Sequence, residues 1–367
     1  MKKLLLLVLS VLVLAGCEPQ EVKDKDSLFI PPLPQEPKLQ YLMTLNSETD
    51  IMEDPSQFQQ FVLGNQESMN SLQRPYAMGS SKGKIYITDR GYRKILIIDL
   101  ANKKFDILKD RKRGTLVDPV GLWITPDGYK YVADMSRNQV ISYGPNDDYI
   151  RAFGEKDQFV RTTDVAVYEN KVYICDHKAH KVFIMDKDSG EVIKEIGEMG
   201  TEDGQFFRPS HLTVDSDGNL YVNDSFNFRV QMFDSEGTFI KNIGAPGDII
   251  GHFARPKGIA VSRDKHLYAV DTAFENVQIF DVETAEVLLF FGGYETGAGS
   301  MYLPNGIHLD YDNIDFFQEF ADKDFQLEYL VYVGNMLGED KMNVYGFGKW
   351  IGEPISDTQP ETEAPAE

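Results

Sequence analysis

The chain has 367 residues, with 37 Lys and Arg against 58 Asp and Glu, a formal charge of -21. Binding to DNA or RNA draws mainly on phosphate neutralisation by Lys and Arg, so this balance argues against nucleic acid and, by charge alone, favours a cationic partner. There are two cysteines, Cys17 and Cys175, and no long apolar segment beyond the first residues.

Met1, Lys2 and Lys3 followed by the apolar run Leu4 to Leu14 give the basic and hydrophobic parts of a secretory signal, too short to span a bilayer. Leu14-Ala15-Gly16-Cys17 resembles the lipobox of bacterial lipoproteins, in which cleavage falls before a diacylated Cys; a plain signal ending in Ala-Gly-Cys is the alternative. The resemblance implies lipidation at Cys17 and a mature protein held on a membrane surface without crossing it. Glu18 after that Cys, rather than Asp, favours the outer membrane, at its periplasmic or outer face. Cys175 is then the sole thiol, so no internal disulfide forms and the core alone must supply stability. Removing residues 1–17 takes two Lys and no acid, leaving 35 bases minus 58 acids, or -23.

Residues 18–38 are polar and carry Pro19, Pro31, Pro32, Pro34 and Pro37, the composition of a stiff tether. From 39 to 352 the chain repeats itself. Tyr followed three residues later by Asp or Asn recurs as Tyr86/Asp89, Tyr131/Asp134, Tyr173/Asp176, Tyr221/Asp224, Tyr268/Asp271 and Tyr332/Asn335. Pro75, Pro119, Thr162, Pro209, Pro256 and Pro304 precede these pairs in register. Each unit reads as short apolar strands broken by turn residues, four to a unit, the signature of a propeller blade. The stretches 253–261 and 224–234 are similar to the NHL repeat, which implies an all-β, six-bladed β-propeller over roughly residues 74–347.

The last unit lacks its own fourth strand. Leu39–Leu45 is the best candidate to supply it and close the ring, with residues 58–63 as competitor. Asp312 to Glu328 is an insertion with Ile314, Phe317, Phe320 and Phe325 near helical spacing, which suits a short helix packed on the flank or channel mouth. The tail, residues 353–367, has five acids, three prolines and no base, and reads as disordered.

Three places are candidates for chemistry. The repeated Asp reads either as a cation ring or, more simply, as a turn-satisfying carboxylate paired with the basic or polar residue five positions on. His211, His308 and Asp164 sit on innermost strands of three different units. Similarity to six-bladed enzymes, which include a zinc-dependent amidating lyase and calcium-dependent lactonases, makes them a metal set for a lyase or lactonase alternative. That alternative departs from the lyase pattern, which places His directly after Pro, where this chain has Ser210 and Asn305. Outside it no cofactor is expected, and Cys175 reads as a packing residue.

The third place is the face where second-to-third-strand loops and inter-blade connections emerge. Tyr92, Phe226, Phe228 and Phe274 fall there beside Arg90, Arg137, His177 and Lys178, a partly apolar, locally basic surface suited to a protein partner, or else a cap folded over the blade tops. With no Gly-x-Ser-x-Gly elbow, phosphate loop or Cys-x-x-Cys, the leading expectation is a lipid-anchored propeller that docks another exported protein.

Overall fold

The computed structural model describes residues 29–52, 71–293 and 297–353. Cys17, the competitor segment 58–63 and the tail from 354 onward lie outside them.

Six antiparallel sheets make six blades: residues 75–107, 119–153, 162–196, 211–243 and 256–292 form blades 1 to 5, each of four strands in sequence order. Blade 6 takes Pro304–Asp310, Phe325–Asn335 and Met342–Trp350, and its fourth strand is Leu39–Leu45, hydrogen-bonded antiparallel to Met342–Trp350. The ring is therefore closed by pairing the start of the domain with its end.

The tether expectation for residues 18–38 fails at its C-terminal end. Phe29–Ile30 forms a fifth strand on Leu39–Leu45, and Phe29 is buried edge-on against Phe325 and Trp350. Prolines limit regular structure but do not forbid a two-residue strand when an aromatic anchor beside them finds a pocket.

Core packing lies between blades rather than within them. Six apolar clusters each join neighbours, such as Val120, Val140 and Phe153 of blade 2 with Val165, Ile174 and Phe183 of blade 3. The Tyr of every Tyr-x-x-Asp/Asn is buried in these seams. Cys175 lies in one of them, fully buried, and burial pushes its thiol pKa well up, as a packing residue requires. In the insertion, a turn of helix at Ile314–Phe317 and a 3-10 turn at Gln318–Phe320 fold Phe317 and Phe325 into the seam between blades 6 and 1.

The repeated Asp is a clamp. Asp134 accepts the amides of Val117 and Asp118 from the incoming connection and those of Ser136 and Arg137 from its own turn. Asp89, Asp176 and Asp271 do the same, each fully buried. The expected pairing five residues on holds only in blade 4, where Arg229 reaches Asp224 at 3.1 Å. Lys94 turns instead to Asp110 and Lys181 to Glu195, because amides already occupy the clamp's lone pairs.

Candidate functional site: the channel mouth and the loop face

In five of the six blades the inner strand begins on the loop face with Pro-x-Gly, or a variant of it, and a local register shift, and in blade 4 the register is unbroken. Gly121 is needed there for close approach: a Cβ at that position would stand 2.5 Å from the Asp164 backbone and carboxylate. In the Gly slot blades 3 and 4 carry Asp164 and His211, so two polar side chains project where neighbouring blades have none.

They line a small cavity of about 70 Å³ with Tyr76, Trp123 and His308. Asp164 accepts the amides of Val165 and Leu212, each at 3.0 Å, and so ties blade 3 to blade 4; burial raises its pKa to about 7 against those hydrogen bonds. His211 is buried with Nδ1 2.8 Å from Ser210 Oγ, while its Nε2 has no partner; burial first, then the charge of Lys257, lowers its pKa to about 3. Tyr76 from blade 1 stacks on the His211 ring at 5.8 Å, and the Arg90 guanidinium sits 5.4 Å above Tyr76. Burial pushes the Tyr76 hydroxyl pKa up to about 12.

His211, His308 and Asp164 thus share one channel, but they are not a metal set. Asp164 spends an oxygen on each of two backbone amides, His308 Nε2 lies 2.9 Å from Ser80 Oγ, and only His211 Nε2 is free. Among the described residues no group of three His, Cys, Asp or Glu gathers to hold an ion. As placed, these donors do not converge into a zinc or calcium site. Trp123 is half-buried on the channel wall.

On the loop face six of the eight aromatic, basic and histidine candidates divide between the fold and the surface. Arg137 donates to the carbonyls of Arg113 and Thr115 and to Gln139, and Phe228 packs into the seam of blades 4 and 5, so both serve the fold. His177 lies half-buried with Nδ1 3.1 Å from the Pro209 carbonyl, its pKa lowered by burial. Phe274 is half-buried, whereas Tyr92 and Phe226 are exposed.

Phe226, 47% exposed, tops a column that sequence reasoning missed. Phe207 meets it edge-on at 5.6 Å, His180 stacks on Phe207 at 5.6 Å, and the Arg208 guanidinium lies 5.4 Å from the Phe226 ring. The signal was present: where the fifth unit reads Phe253-Ala254-Arg255, the fourth reads Phe206-Phe207-Arg208, with a second aromatic on the connection.

A family model described as a 6-bladed beta-propeller matches residues 155–227. Peptidyl-glycine alpha-amidating monooxygenase A of Xenopus laevis is 31% identical over 157 residues, which is 39% of this chain but 17% of that enzyme. Among solved structures, a protein of unknown function from Bacteroides thetaiotaomicron superposes with a TM-score of 0.57 at 16% identity, covering 84% of this chain and 75% of that one. A catalytically inactive virginiamycin B lyase from Staphylococcus aureus with quinupristin gives 0.52 at 16% identity, over 84% and 99% of the two chains. At such identities the likeness is one of architecture, and the chain is a six-bladed β-propeller.

Proposed function

We propose that this chain is an exported propeller, lipid-anchored through Cys17, that docks another exported protein through its loop face. The observation that carries the reading is the column of Phe226, Phe207, His180 and Arg208. It is an exposed aromatic backed by rigid rings and a guanidinium, and Trp, Tyr, Phe and Arg in such settings dominate protein interfaces. The channel supports it indirectly, since Tyr76 stacks on His211 across its loop-face mouth.

The test is a photoreactive residue placed at Phe226 in cells, with controls at Glu236 on the opposite face and Ile193 on the outer edge. A discrete cross-linked species from position 226 alone is expected; species from all three positions, or from none, contradict docking at this face.

The alternative is a metal-dependent lyase or lactonase. It keeps one observation in its favour, the unpartnered Nε2 of His211 facing the channel. Stoichiometric zinc or calcium in the mature domain, lost in His211→Ala, would promote it.

A further inference from the structure

We propose that the connection between blades 1 and 2 is an anion-docking surface that takes an acidic, partly apolar segment of a protein partner. This rests on the docking reading above and names the chemistry of the partner. Residues 109–113 read Lys-Asp-Arg-Lys-Arg, four bases in five positions of a chain whose net charge is -21. Lys109, Arg111, Lys112 and Arg113 are all exposed, and none makes an ion pair or side-chain hydrogen bond among the described residues. The single acid of the run is neutralised from within: Asp110 takes Lys94 Nζ at 3.0 and 3.1 Å and the Leu116 amide at 2.7 Å. The free charge of this loop is therefore wholly positive.

The loop is built, not loose. Lys112–Gly114 is a 3-10 turn, the Tyr143 hydroxyl donates to the Gly114 carbonyl from below, and the Arg137 guanidinium donates to the carbonyls of Arg113 and Thr115 at 2.9 and 2.7 Å. Asp134 clamps the amides of Val117 and Asp118. Charges fixed in place lose less freedom when they bind, so a compact set of them steers and holds an anion better than the same charges on a mobile tail.

One observation favours a protein segment over a bilayer or a glycan. Val117 stands 47% exposed four residues past Arg113, and Tyr92 is exposed on the neighbouring turn of blade 1, so the patch offers apolar contact beside its charge.

The experiment uses the mature domain and a fluorescein-labelled peptide of mixed Glu and Leu, with binding read by anisotropy across a NaCl series. Arg111→Glu/Lys112→Glu/Arg113→Glu is expected to weaken binding about tenfold or more, while Lys82→Glu/Lys187→Glu/Lys323→Glu on the opposite face leaves it unchanged. The milder Lys112→Gln/Arg113→Gln, at two exposed positions, should fall between the two and guards against misfolding. Absence of binding by the unaltered domain at low salt, or equal loss in both triple variants, overturns the proposal. So does tighter binding to heparin or to phosphatidylglycerol vesicles than to the peptide. A cross-link from position 226 that survives such a failure would keep the docking reading and remove only this one.

Discussion

Tyr76 and His211 come from blades on opposite sides of the ring, and their rings stack at 5.8 Å with 23° between planes, bridging the channel at its loop-face mouth. The bridge keeps His211 dry, which is why burial dominates its lowered pKa. Tyr76→Ala should cost about 2–4 kcal/mol in urea unfolding, as large-to-small changes in packed sites do. It should also let water reach His211, so that an imidazole silent to NMR titration above about pH 4 in the native chain titrates nearer its ordinary pKa of about 6.5 in the variant.

The same mouth holds two groups with opposite pH dependence. Asp164, raised to about 7, binds more protons folded than unfolded, so its contribution is present below its unfolded pKa and is lost as pH rises toward 7. His211, lowered to about 3, binds fewer protons folded than unfolded, so its contribution is present above its unfolded pKa and is lost as pH falls toward 3. Between about pH 4 and 6.5 the two slopes offset each other. Relative to the native chain, Asp164→Asn should therefore gain stability with rising pH by about 1.4 kcal/mol per unit, and His211→Gln should gain it with falling pH. Denaturation at pH 4.5 and 6.5 reads both signs.

Asp271 accepts the amides of Ala254, Arg255, Ala273 and Phe274 with one carboxylate. Asp271→Ala strands those donors together and should cost about 3 kcal/mol, the upper range for a single buried polar loss. Asp217→Ala, at an exposed carboxylate on the far face, should change stability by less than about 1 kcal/mol, since its ion pair with Lys265 is exposed on the acid side.

Cys17→Ser removes the thiol that the lipobox-like motif would acylate. Fractionation should move the protein from the membrane pellet to the soluble fraction, with the fold unchanged by circular dichroism.

The propeller was legible because its signals recur. Tyr-x-x-Asp six times over, with Pro held in register ahead of it, specifies blades whatever any one blade does, and the missing fourth strand of the last unit pointed to Leu39–Leu45. The site was less so. Asp164, His211 and His308 could be assigned to inner strands from their offsets after Thr162, Pro209 and Pro304, but not their partners. Two backbone amides bound to Asp164, which tie blade 3 to blade 4, are invisible in sequence. Tyr76 escaped notice because Pro-x-Gly directs attention to the third position, while the channel is bridged from the second. The 109–113 run was obscured by the overall acidity, which averages over a surface that is locally basic.

The central claim is that binding resides on the loop face and not in the channel. The most direct measurement is quantitative recovery, from cells, of whatever co-purifies with the native chain, compared with Phe226→Ala/Arg208→Glu and with His211→Ala. The account predicts a partner lost from the first variant and retained by the second at native yield. A partner retained by the loop-face variant and lost with His211 would contradict it and move the function into the channel.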